Sequence, residues 1–432
     1  MSAPQVSGQT TRRAWLVWAP AALFFALVFF QRTAPGVMVE ELMRDFSVGA
    51  ALLGNLAAFY FYAYASVQLG VGLVLDNWGP RRVLTGAALV AAAGAVVFAL
   101  AESLHAAYLG RLLIGLGCAF GWIGCLTVIG QWFPARRFAT VAGLSGMVGM
   151  VGAMLAQTPL AALLAFVSWR TAMLGVAGAS FAAALLCWFL LRDRNPARAA
   201  ERAAAEGHRM GLLAGLRAAA ANRQVWPIAL FTSTNVVPFI ALVALWGVPY
   251  MMRAHGIERG EAAFAVVLIL LGQGLGSPAM GWLSDRIGRR KPVMALCTGL
   301  ALVTFCIAVY IPGLPLWLVY AVLFVHGIGS SGIIIGFSTM REAAAPHLVG
   351  ASLGIVNTFV MGFSALIHPL LGLLLDLAWD GRMENGVRYY GTGDYERAML
   401  VLPATLVVGL IAAALVRETW CGEAPAGATA RS

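Results

Sequence analysis

GWLSDRIGRR, residues 281–290, sets four charges within ten positions, Asp285, Arg286, Arg289 and Arg290, between two long apolar runs. A tight reversal between two apolar helices accounts for its glycines. Gly288 can adopt backbone angles closed to other residues, and Gly281 lets a neighbouring helix approach. A second version, GLVLDNWGPRRV at residues 72–83, begins 209 residues earlier and keeps Gly72, Asp76, Gly79, Arg81 and Arg82. Other pairs stand 212 residues apart: GLG at 115–117 answers GIG at 327–329, and Pro134 answers Pro346. The chain therefore reads as a unit used twice.

The surroundings of these turns decide the solvent. With 60% hydrophobic and 11% charged residues, the chain carries more apolar surface than one water-soluble globule can bury. Runs of about 20 apolar residues, the length that spans a bilayer, recur at residues 14–39, 50–75, 83–100, 104–132, 139–166, 171–191, 224–252, 261–284, 293–311, 316–340, 349–377 and 398–416. The expected fold is all-α and integral to the membrane, with twelve transmembrane helices in two six-helix halves. The halves cover residues 1–192 and 224–432, and an Arg/Ala-rich cytoplasmic linker joins them at 193–223. No signal-peptide cleavage pattern follows the first run, so both termini are expected in the cytoplasm. Twenty of the 29 Lys and Arg residues then fall on the cytoplasmic side, as the positive-inside rule requires. The net charge of +10 is thus a topology signal, and nucleic acid is not expected as a partner.

Enzyme chemistry finds no foothold. No phosphate-binding loop, Ser–His–Asp set or metal-ligand spacing occurs, so no cofactor, no metal and no ATP-driven step are expected. Cys118, Cys125, Cys187, Cys297 and Cys306 fall within helices as small packing residues, and Cys421 falls in the tail. Parallel halves with a site between them at mid-depth are an architecture of secondary transporters.

GWLSDRIGRR resembles, at every fixed position, the loop signature of the major facilitator superfamily, and the earlier copy departs in carrying Asn77 and Pro80. RLLIGLG from Arg111 resembles the fourth-helix motif of that family. QWFPARRFATVAGL after it resembles the next cytoplasmic loop of its organic-anion branches, close to the anion:cation symporters and organophosphate carriers. The resemblance covers nearly the whole chain and implies alternating access in a bacterial inner-membrane transporter. It also implies that Gly72, Asp76, Arg81, Arg82, Gly281, Asp285, Arg286, Gly288, Arg289 and Arg290 form a cytoplasmic gate that locks the halves while the cavity opens outward.

A charge within the bilayer is costly unless it faces a cavity or a partner, which singles out Arg32 and Arg111. A guanidinium grips a carboxylate or phosphate through a planar fork of donors, and the resemblance implies that a first-helix arginine holds an anion. The seventh helix has no second arginine for a phosphate clamp, which turns the expectation toward a carboxylate. Asn55 and Tyr62 share one helical face with Ser66, while Tyr60 and Tyr64 lie on the adjacent side. Asn235, Gln273 and Asn357 offer hydrogen bonds from the second half. His326 is the expected coupling residue, because imidazole titrates near neutral pH, and His368, beside Pro369, reads as a packing residue. No Asp or Glu falls mid-helix, which argues against a carrier of cationic drugs. The expected function is import of a small organic anion with protons or another coupling ion, by a monomer in contact with membrane lipid. The alternatives are an exporter of drugs or metabolites and a non-transporting sensor on the same scaffold.

Overall fold

In the computed structural model, which describes residues 12–193, 212–384 and 386–420, twelve helices are long and apolar enough to cross a membrane. In chain order α1 to α6 are Arg12–Val37, Ala50–Val67, Val71–Ala99, Leu104–Trp132, Thr140–Leu163 and Trp169–Leu190. Helices α7 to α12 are Val225–His255, Arg259–Ile287, Lys291–Tyr310, Leu316–Ala343, Val349–Ala378 and Thr392–Leu415. Helix is what hydrocarbon demands, since it satisfies every interior backbone N–H and C=O within the segment. Of the expected linker, residues 194–211 lie outside the described residues, as does Cys421. Its remainder includes a helix at Leu212–Ala221.

Local sequence decides where these helices break. The expected helices at 50–75 and 83–100 divide elsewhere: helix stops at Val67, resumes at Val71 and runs to Ala99 with one non-helical residue, Gly79. Gly79 sits at φ +75°, and Pro80 behind it cannot donate to the preceding turn, so the charged reversal shrinks to a single glycine. A side chain on Gly79 would also strike the Asp193 carboxylate. At the end of α1, Pro35 lies in a 3₁₀ turn, Ala34–Val37. This turn packs on a π-helical turn of α7, Leu242–Trp246, where Gly36 allows the Ala244 carbonyl to come close. Irregular helix of this kind is tolerated at membrane depth only when it is buried in protein, and α7 is the most enclosed helix of the twelve.

The halves meet chiefly along α2 and α11. Gly54 faces the His368 carbonyl and Gly372 faces that of Ala50, approaches too close for any side chain. The two ends of the bundle differ. At the end away from the charged turns, Arg253 pairs with Glu40 at 3.3 Å and Arg259 with Glu41 at 2.6 Å, each across the halves. Asp376 of α11 caps the first turn of α2, accepting from the Ala50 and Ala51 amides at 3.1 and 2.9 Å. It also accepts from Arg388 at 2.9 Å and from the Tyr390 hydroxyl at 2.5 Å. Burial, together with this carboxylate, raises the Tyr390 phenol above its ordinary range and keeps it a donor. Deeper in, Gln157 donates to the Val243 carbonyl at 3.2 Å. These bonds across the halves lie in the far part of the molecule.

Asp376→Ala removes the helix cap and leaves Arg388 unpaired, an effect of about 1–2 kcal/mol for the cap alone. We expect a lower melting temperature and a wider separation of spin labels set across the far end. An unchanged distance distribution would show that Asp376 does not hold the halves together.

Candidate functional site

Arg32 sits on the last turn of α1, half-buried, with its guanidinium carbon 4.9, 5.6 and 5.4 Å from the ring centres of Phe29, Tyr60 and Tyr64. Arg111 on α4 is fully buried, its guanidinium carbon 5.2 Å from the ring centre of Tyr60 and 6.0 Å from that of Phe98. Its Nη1 donates to the Gln31 carbonyl at 2.8 Å, tying α4 to α1 beside Arg32. Gln31 in turn donates through Nε2 to Ser180 of α6 at 3.1 Å. Tyr60 thus contacts both guanidinium groups, and no described Asp or Glu pairs with either. The Nε of Arg32 and the Nε and Nη2 of Arg111 have no hydrogen-bond partner. Aromatic faces and one carbonyl stabilise the two charges without neutralising them. Unbonded guanidinium donors of this kind have the chemistry to accept a carboxylate, sulfonate or phosphate oxygen.

The remaining sequence candidates disperse. Tyr62 is exposed on the outer face of α2, edge-on to Phe59, which stacks at 4.4 Å on Tyr108. Tyr108 donates to the Leu52 carbonyl at 3.2 Å, one turn from Asn55 in the same seam. The other tyrosine face, Tyr60 and Tyr64, is the one that turns to the arginines. Asn235 is enclosed within the second half, donating to Thr298 at 3.2 Å and the Gly329 carbonyl at 3.4 Å. Gln273 is buried on α8 against Gly327, and Asn357 is half-buried on α11. His326 is buried between α9 and α10, where Nδ1 lies 3.1 Å from the Ala301 carbonyl and its ring beside Phe305. It borders a small apolar cavity with Tyr250, Phe305 and Leu323, inside the second half and away from the arginines. His368, read from sequence as packing, instead stacks on Phe61 across the seam at 5.4 Å, with neither ring nitrogen bonded.

The charged turns are built alike. In the first half the amide of Arg81 donates to Asp193, just past α6, at 3.0 Å, and its Nε donates to the Trp188 carbonyl at 2.8 Å. In the second half the amide of Arg290 donates to Glu418, just past α12, at 2.7 Å. Arg290 also binds Glu342 at 2.5 Å and Asp285 at 2.7 Å. Gly288 closes α8 in the left-handed region at φ +68°. Asp76, Arg82, Asp285, Arg286 and Arg289 are exposed, while Gly72 and Gly281 are partly covered. Sequence reading missed Asp193, Glu342 and Glu418. Their signal is position alone: a lone acid just beyond a last helix or at a helix end, facing the duplicated arginine.

A sequence model of the Major Facilitator Superfamily matches residues 21–248 and 239–419. A probable sulfoacetate transporter of Cupriavidus necator is 22% identical, over 93% of this chain and 94% of that one. A gentisate transporter of Corynebacterium glutamicum is 24% identical, over 83% of this chain and 80% of the other. Among solved structures, a bacterial homologue of the human lysosomal transporter Spinster, in an inward-facing, unoccupied conformation, superposes with a TM-score of 0.75 at 17% identity. It covers 97% of this chain and 100% of that one.

Within the second charged turn, side-chain exposure is 17% for Glu342 and 67% for Asp285, against 8% for Arg290. Breaking a buried pair costs about 3–5 kcal/mol, whereas an exposed pair contributes about 0–1 kcal/mol. Glu342→Gln should therefore lower the melting temperature more than Asp285→Asn does. Equal losses would mean that Glu342 is not the main partner of Arg290.

Proposed function

This chain belongs to the Major Facilitator Superfamily and is a transporter rather than an enzyme, and from that premise we propose that it moves a small organic anion, a carboxylate or sulfonate, by proton-coupled symport. The observation that carries this reading is the pair of guanidinium groups around Tyr60 with no acid against them. Arg32, half-exposed, takes the anionic head, and Arg111 behind it, bonded to Gln31, adds a second positive charge and fixes the helix that carries Arg32. The names of the sulfoacetate and gentisate carriers support the same class of substrate.

The arginine bias supports an orientation with the charged turns in the cytoplasm, and the bacterial relatives support an inner-membrane location. In that orientation the Asp376 and Glu40 contacts close the outer face, and the transporter faces inward. The duplicated turns act in the opposite state, where they hold the cytoplasmic ends of the halves together. The pseudo-twofold pair Arg81–Asp193 and Arg290–Glu418 anchors each turn to its own half, ready to dock as a rigid piece.

Sulfoacetate and gentisate should raise the melting temperature of the purified protein, because a ligand bound to the native state stabilises it by mass action. Arg32→Ala should weaken that binding by about tenfold to a hundredfold, the worth of one charge-assisted hydrogen-bonding group, and Arg32→Lys should restore part of it. Asn55→Ala and Tyr62→Phe, on the outer seam, should leave it unchanged. Stabilisation by cationic drugs alone, indifferent to Arg32, would overturn the anion reading in favour of an exporter.

A further inference from the structure

We propose that His368 takes up the coupling proton when an anion occupies the Arg32–Arg111 site. This inference rests on the anion reading above. His368 is buried on α11, and neither Nδ1 nor Nε2 has a hydrogen-bond partner. Its ring stacks on Phe61 of the other half at 25°, and Phe61 lies 5.2 Å from Tyr60, the ring that touches both arginines. The imidazole therefore stands where the two halves meet, one aromatic ring from the anion site. His326 is also buried with its Nε2 unbonded, but its Nδ1 has a carbonyl and it is enclosed in one half, away from the arginines.

The charges around His368 make the coupling specific. Arg111 of α4 lies against Tyr60, the ring that Phe61 links to His368. Helix α2, packed against α11, brings only tyrosines as titratable groups: Tyr60, Tyr62 and Tyr64. The stretch of α7 on the other side, Val225–Ala241, has none. Asp376, on the same helix, is engaged at the far end with Ala50, Ala51, Arg388 and Tyr390, and the start of α12, Thr392–Met399, meets α11 there with Asp394, Tyr395, Glu396 and Arg397. Glu342, Arg341, His347 and Arg217 lie on the elements that meet α11 at its opposite end. With the site empty, a proton on His368 would face the positive charge of Arg111 with no acid to offset it. An anion between the guanidinium groups removes that repulsion, so a proton from solution can bond to a ring nitrogen lone pair. By reciprocity the protonated ring strengthens anion binding to the same degree. Anion and proton then enter and leave together, and the two unbonded nitrogens, costly for a buried ring, are kept for the proton rather than for packing.

The test measures protons directly. Purified protein in weakly buffered detergent solution with a pH indicator receives sulfoacetate or gentisate adjusted to the same pH. The parent is expected to take up one proton per anion bound, and its affinity should fall by about tenfold per pH unit over the alkaline limb. His368→Gln and His368→Asn should bind the anion with an affinity flat in pH and with no proton uptake, while His326→Gln should match the parent. Two variants are used so that one failing to fold leaves the other to decide. Anion binding by the parent without proton uptake overturns the proposal. So does uptake that survives in the folded His368 variants or disappears in His326→Gln, and so does loss of anion binding in both His368 variants, which would make the ring a packing element. If neither anion stabilises the parent at all, the anion reading itself fails and His368 falls with it, an outcome separable from the others because no binding is seen.

Discussion

Two guanidinium groups held in an apolar interior with no acid against them set the terms for the rest of this structure. A charged side chain at the centre of a bilayer costs about 3 kcal/mol on insertion scales, and here two of them share one aromatic cage. Arginine suits this position where lysine would not: its charge is delocalised, weakly hydrated and able to lie on a ring face. The cage of Phe29, Tyr60, Tyr64 and Phe98 with the Gln31 carbonyl lowers the cost, yet donors on both groups stay unbonded. A site that is stable when empty but electrostatically incomplete binds an anion without first having to break an internal ion pair. That is an economical way to make a membrane interior selective for sign.

The same constraint explains what could be read from the sequence and what could not. Twelve apolar runs and a charged turn repeated at 209 residues are properties of the chain itself, and the fold follows them closely. Helix breaks at Val67, at Gly79 and within Leu242–Trp246 depend on which neighbour covers the freed backbone, a tertiary matter that hydropathy does not record. Helix facing was harder still. In water a polar stripe marks the outside, but in lipid the outside is apolar and a few polar residues appear on several faces. Asn55 and Tyr62 therefore looked as plausible as Tyr60 and Tyr64, though the latter pair encloses Arg32. The histidines show the same limit: proximity to a proline says little, whereas the fold gives Nδ1 of His326 a carbonyl and leaves both ring nitrogens of His368 without a partner. Glu342 and Glu418, 52 and 128 residues from Arg290, could only be recognised once the chain had folded.

The ends of the bundle differ in how they meet their electrostatic needs, and this difference bears on which state is favoured. Arg290 and Arg81 find acids within their own halves, so these pairs survive a parting of the halves at that end. At the far end the partners lie on opposite halves: Asp376 caps α2, and Glu40 and Glu41 bind Arg253 and Arg259. Opening there breaks a helix cap and two charge pairs at once. The present conformation is thus the one in which every one of these groups is satisfied, and a transition away from it must be compensated elsewhere. The contact between α2 and α11 that runs beneath the Asp376 cap also carries Phe61 and His368, one ring away from the arginine cage. A change of charge in that cage therefore acts on the same pair of helices that the cap holds shut. Coupling between site and gate needs no relay beyond these two helices, because the site lies against one of them and the latch joins both.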